Sequence, residues 1–277
     1  MGRHSGGRAL GVMLLASLLP GTGSAAAQEG AAAADAGAGA PAPVLLAAGS
    51  LRQAFGEILA AYRAGGGEAF AAQYGPSGKL RKEIEGGRPV DLFASAALEH
   101  AEALARQGLL GQSSVFAHND LCVVSTPRLG LRAGNLLEIL ARPGVRLATS
   151  TPVSDPMGDY TWQFFRKADA RQPGLYKVLD AKALKLSGAA NVDPDSTLPY
   201  VAAFAEDKAD AYIMYCTNAV LTRNTLPHLA LLRIPDDLNV RSSYGIAARK
   251  GSEAGARLLR FVLRPAGQDI LRTYGFH

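Results

Sequence analysis

Val44-Leu-Leu-Ala-Ala-Gly-Ser-Leu-Arg-Gln-Ala-Phe55 decides how this chain is read: an apolar run, a Gly-Ser pair, then an amphipathic run. That order describes a strand aimed at the start of a helix. Ser50 is placed as N-cap or first-turn residue, where a hydroxyl and unpaired backbone N–H groups converge at the positive end of the helix dipole. Such a corner holds an anion. A serine before a helix also serves simply as a cap, and the junction alone does not choose between the two.

Working outward, the 277 residues with 48% hydrophobic content suffice for one large or two medium domains with real cores. The net charge is +5, but the basic residues are scattered, without a run of five and without interleaved aromatics, which speaks against nucleic acid as a partner. Upstream, Arg3 and Arg8 precede an apolar run from Ala9 to Leu19, followed by small residues ending in Ala-Ala-Ala-Gln. This pattern reads as a secretory signal peptide over 1–27, cut near Ala27, and places the mature protein in the periplasm. An uncleaved anchor is the alternative. Residues 28–42 are Ala/Gly/Pro-rich and read as a low-complexity leader. The two cysteines, Cys122 and Cys216, sit in apolar strand-like runs, and both a bridge and two buried thiols are open readings.

Downstream, strand, small polar turn and helix recur. Leu51 to Arg63 carries apolar residues at helical spacing and stops at Ala64-Gly-Gly-Gly; Glu68 to Tyr74 reads as a strand, Gly75-Pro-Ser-Gly as a turn, and a second helix starts just after Ser77. Pro89 to Ser95 and Val145 to Thr149 are further strands, and Ala97 to Gln107 a helix. His118 to Ser125 reads as one strand leaving the first lobe, and Ala209 to Tyr215 as a strand ending in Cys-Thr-Asn. Asp155-Pro-Met-Gly is a strong helix start, with Asp155 at the N-cap and Pro156 at the first helical position. The alternation predicts an α/β fold with mainly parallel sheets whose strand ends gather at one crevice.

No spaced histidines, nucleophile elbow or glycine-rich phosphate loop occurs. What recurs is a hydroxyl residue at a helix start: Ser50, Ser77, and Ser196 or Thr197. Together with the Asp155 start, these neutral donors and helix ends describe an oxyanion binder. On AAGSL at 47–51, the Ser77 turn before KLRKEIEGG, PVDLFAS at 89–95, YIMYCTNAV at 212–220 and the closing PAGQDILRTYGF, the chain resembles the periplasmic molybdate-binding proteins of ABC transporters, over Val44 to Phe276. The resemblance implies a two-lobed type II periplasmic binding protein, with lobe one at 43–121 plus 236–277 and lobe two at 122–235. It implies a monomer that captures molybdate or tungstate, hands it to a membrane ABC permease, needs no cofactor and catalyses nothing. The implied ligand set is Ser50, Ser77, Asp155, the Met157 backbone, Thr197 or Ser196, and Tyr215. Any molybdenum or tungsten would be held through these residues as oxyanion, without a free-cation site.

SDPMGDYT departs from the family pattern by placing two carboxylates beside a site for a dianion, and unpaired like charges repel a ligand. One reading has Asp155 capping its own helix and Asp159 pointing to solvent. Another has a carboxylate accepting a proton from hydrogen phosphate, which makes a phosphate-like or organic anion the alternative ligand. A third draws on the related archaeal molybdate/tungstate binders, which carry a similar turn and ligate the metal centre by carboxylates; their second carboxylate has no counterpart in YIMYCTN. An exported serine hydrolase using Ser50 or Ser77 is the rival of another class, and it has no spaced base and orienting acid.

Overall fold

The computed structural model describes residues 41–189 and 199–277. The expected signal peptide and nearly all of the leader lie outside the described residues, as do Ser196 and Thr197. In chain order the first elements are β1 (Val44–Ala48), α1 (Arg52–Ala64), β2 (Ala71–Gly75), α2 (Ser77–Glu85), β3 (Leu92–Ser95), α3 (Leu98–Arg106) and β4 (Ser114–Asn119). There follow β5 (Leu121–Ser125), α4 (Leu136–Ala141), β6 (Leu147–Ser150), α5 (Pro156–Arg171), α6 (Leu175–Lys182), β7 (Leu184–Ser187), α7 (Pro199–Ala205), β8 (Ala211–Tyr215), α8 (Cys216–Thr225) and β9 (Ala230–Arg233). The chain then returns through β10 (Ser242–Ala248), α9 (Glu253–Leu263) and α10 (Pro265–Thr273).

These strands form two five-stranded sheets, ordered β2-β1-β3-β10-β4 and β7-β6-β8-β5-β9. In the first, β1 to β4 run one way and β10 runs against its neighbours β3 and β4; in the second, β5 alone is reversed, against β8 and β9. Each lobe is thus a mainly parallel sheet flanked by helices, and each reversed strand follows a crossing between lobes. Parallel strands bury both faces, which is why β1, β3 and β8 are almost wholly apolar and lie inside.

Periodicity explains α1: Ala54, Phe55, Ile58 and Tyr62 are buried on one face. Phe55 meets Phe116 of β4 edge-on at 5.9 Å, and full burial of such a ring contributes roughly 1.5–3 kcal/mol. The helix ends at Gly65, and Gly66 adopts a φ of 85°, a conformation that favours glycine.

Three local expectations are corrected. The run His118 to Ser125 is not one strand but β4 and β5, broken at Asp120, where the chain crosses and reverses. Asn119 Oδ1 accepts the Asp120 amide at 3.0 Å, the Cys216 amide donates to the Asp120 carbonyl at 2.8 Å, and Arg233 holds the Asp120 carboxylate at 2.7 Å. Cys216-Thr-Asn is not the end of a strand but the first turn of α8. And α6 with β7, absent from the sequence reading, extends the second sheet at its edge.

Cys122 and Cys216 form a disulfide that ties β5 to the start of α8, so the bridged reading holds. The two crossings are clamped by Asn239. Its Oδ1 accepts the Leu121 amide at 2.9 Å, and its Nδ2 donates to the carbonyls of Leu121 at 3.0 Å and Ile234 at 2.8 Å.

Candidate functional site

The carboxyl ends of β1, β2, β6, β7 and β8 converge on one cavity of about 180 Å³, where open α/β sheets bind their ligands. Both lobes line it. The first brings Ser50, Ser77 and Tyr74; the second brings Asp155, Met157 and Tyr215.

Ser50 lies in a single 3-10 turn, Gly49–Leu51, between β1 and α1, and makes no capping bond. Its hydroxyl instead meets the Tyr244 phenol of β10 at 2.9 Å. Ser77 is the first residue of α2 and only 1% exposed; its Oγ accepts the Ala96 amide at 3.0 Å, which leaves its own proton to donate.

Asp155 is the N-cap of α5, as its sequence context predicts. Its Oδ1 accepts the Met157 amide at 3.1 Å and its Oδ2 accepts the Ser150 hydroxyl. The Met157 amide, expected as a ligand donor, is therefore occupied by a carboxylate of its own helix. Burial raises the Asp155 carboxyl above the usual carboxylate range, the two donors counter this, and nearby Asp159 adds to it. Gly188, with a φ of 74°, makes room: a Cβ there would stand 2.1 Å from the Ser150 hydroxyl and 2.6 Å from the Asp155 Cβ.

Tyr215 ends β8, with its ring packed 5.7 Å from Tyr244 and 6.4 Å from Tyr160. Its phenol oxygen is buried and makes no well-formed hydrogen bond among the described residues, although the Tyr244 phenol lies near enough to interact with it. Burial pushes the phenol well above its ordinary value, so at neutral pH it is an uncharged group able to donate a hydrogen bond. Thr197 and Ser196 lie outside the described residues.

Asp159 does not simply point to solvent. It is half-buried and its Oδ1 accepts the Val153 amide at 2.8 Å, because the turn before α5 folds back over the first turn of that helix. Burial raises its carboxyl, and Arg166 counters while Glu99 of the first lobe adds.

Sequence reasoning missed several lining residues. Arg52, two residues after Ser50, lies over the Tyr74 ring at 4.9 Å, a cation–π contact that the spacing from Ser50 did not signal. Asn218 sits one turn beyond Tyr215 and donates to the Tyr200 phenol at 3.1 Å. Tyr244, which holds the Ser50 hydroxyl from 194 residues away without being one of the lining residues, carried no local signal. No histidine lines the cavity among the described residues, and neither serine is bonded to a base. Hydroxyls, phenols and helix N-termini around a confined space suit the holding of an anion.

The model of the bacterial extracellular solute-binding proteins matches residues 43–277. The chain belongs to that family. Among relatives of this solute-binding protein is the uncharacterized protein PM1146 of Pasteurella multocida, 35% identical, with the alignment covering 84% of this chain and 97% of the relative. Another is the molybdate-binding protein ModA of Mycobacterium tuberculosis, 27% identical over 84% of this chain and 83% of that protein. In structure, the periplasmic molybdate-binding protein of Azotobacter vinelandii superposes with a TM-score of 0.69 at 19% identity, covering 85% of this chain and 98% of the other, a likeness of fold.

Proposed function

We propose that this solute-binding protein captures a tetrahedral oxyanion, molybdate or tungstate, between its two lobes in the periplasm and delivers it to the membrane permease of an ABC transporter. The observation that carries the reading is the pairing of Ser50 and Ser77. Each sits in the first turn after a parallel strand, in different helical segments, and both line one cavity. Such an arrangement supplies hydroxyl and amide donors to a buried anion without a lysine. Tyr215, with a buried phenol that makes no well-formed hydrogen bond among the described residues, fits as the donor from the opposite lobe. The lobes, 43–121 plus 236–277 and 122–235, would close about the crossings, and the closed form would be the one presented to the permease. Among the described residues the serine hydroxyls meet Tyr244 and the Ala96 amide rather than a base, which supports binding over hydrolysis.

Asp155 favours a second reading. A carboxylate in the cavity opposes a dianion unless it is protonated, and it suits a ligand that brings its own proton, such as hydrogen phosphate. Calorimetric titration of the exported protein with molybdate, tungstate, sulfate and phosphate separates the two. Molybdate and tungstate binding, weakened in Ser50→Ala, supports the first; phosphate binding alone overturns it in favour of the second.

A further inference from the structure

The lobes touch at one place where backbone meets backbone beside the cavity. The Gly78 amide of α2 donates across the cleft to the Ser154 carbonyl at 3.0 Å. The approach is close: a Cβ on Gly78 would stand 2.3 Å from the Val153 carbonyl oxygen and 2.9 Å from that of Ser154, a clash with backbone that no rotamer relieves. Gly78 directly follows Ser77, and its N–H is one of the first-turn donors that a helix leaves unsatisfied. One donor of the α2 terminus is therefore spent on the opposite lobe, next to the serine that faces the cavity.

The turn that receives it is held in an unfavourable shape. Val153 is β-branched yet adopts a φ of 68°, and it is 69% exposed, so no packing of its side chain explains the conformation. What fixes the turn is polar. Asp159 Oδ1 takes the Val153 amide at 2.8 Å, and the Asp155 amide donates to the Thr151 carbonyl at 3.0 Å. Gly158, one residue before Asp159, lets the helix sit against the same turn; a Cβ there would fall 2.6 Å from the Pro152 nitrogen.

We propose that the Thr151–Ser154 turn is a closure latch, in which the Ser154 carbonyl captures the Gly78 amide of the other lobe and Asp159 is the positioning residue that keeps the turn in reach. Closure and ligand capture then share the N-terminus of α2, and affinity depends on residues that never touch the ligand. The proposal rests on reading the cavity as a capture site between lobes.

The test uses Gly78→Ala, Asp159→Ala and Asp159→Asn in the full-length exported protein. Binding of molybdate, tungstate, sulfate and phosphate is measured by calorimetry, lobe closure by small-angle scattering with saturating anion, and the latch by hydrogen exchange of the Val153 and Gly78 amides. Gly78→Ala is expected to weaken every anion that the wild type binds by at least tenfold and to keep the expanded scattering profile. Asp159→Ala is expected to weaken binding at least threefold and to speed exchange at both amides together. Asp159→Asn, whose amide oxygen accepts the same bond, is expected to stay near wild type. Wild-type closure and affinity in Gly78→Ala would overturn the latch, and so would unchanged Gly78 exchange in Asp159→Ala. If the wild type binds none of the four anions, the oxyanion reading falls, while the exchange arm, which needs no ligand, still decides the latch.

Discussion

Replacing Tyr215 by phenylalanine separates folding from binding at a single atom. The phenol oxygen is buried without a well-formed hydrogen bond among the described residues, and a group in that condition costs about 1–3 kcal/mol of folding free energy. The Tyr215→Phe variant keeps the ring and its contacts with Tyr244 and Tyr160, so little packing is lost. The ligand-free variant should gain about 1–2 kcal/mol, which for a folded unit of this size raises the melting temperature by about 2–8 °C. On the proposed oxyanion reading the sign should reverse with ligand bound, because there the wild-type phenol would donate a charge-assisted bond that the ring alone lacks. Losing about 1.5–3 kcal/mol of binding raises Kd roughly 10- to 150-fold. Thermal melts with and without saturating molybdate, together with calorimetry, read both quantities on one sample. A variant that melts several degrees lower without ligand and binds with wild-type affinity would refute the reasoning, since it would mean that the phenol already has a partner within the protein.

Ser77→Ala and Ser50→Ala should both weaken oxyanion binding by about 1.5–3 kcal/mol. Each serine also serves a buried partner, the Tyr244 phenol for Ser50 and the Ala96 amide for Ser77, so each loss should cost about 1–2 kcal/mol of folding, read by urea denaturation. Reducing the Cys122–Cys216 bridge, which closes a loop with a sequence separation of 94, should lower stability by about 4–5 kcal/mol on the chain-entropy account, measured as denaturation with and without reductant. Acid should act through His100, which burial, aided by Arg81, lowers to about 4. Its neutral form is favoured in the folded state, so its contribution is full above the ordinary histidine value of about 6.5 and is lost as pH falls through about 4; a melting curve against pH should flatten over that window in His100→Gln.

How much of this was legible depended on whether the determinant was local. The strand–turn–helix over Val44 to Phe55 could be read because a continuous apolar run and helical spacing are properties of neighbouring residues, and Asp155-Pro156 because capping is a contact of two residues' span. The break at Asp120 was not legible, since what separates β4 from β5 is Arg233 and the Cys216 amide, brought from far along the chain. The same holds for the Ser50 hydroxyl, which finds Tyr244 rather than a cap. Asp159 was misplaced because a carboxylate in a first helical turn ordinarily faces water, and only the folded-back Val153 turn gives it an amide.

The position of β10 has a consequence for how the molecule comes to exist. It lies between β3 and β4, and among the described residues β4 pairs with no other strand. The second sheet has all five of its strands once Arg233 has been made, whereas the first, begun at Val44, lacks its interior until Ser242 to Ala248 arrives. On a ribosome that makes chain from the N-terminus, the lobe begun second is completed first. The earlier lobe waits with β3 and β4 unjoined, and a chain cut short before β10 would carry a whole second sheet beside an open edge, the kind of surface that invites pairing with another chain.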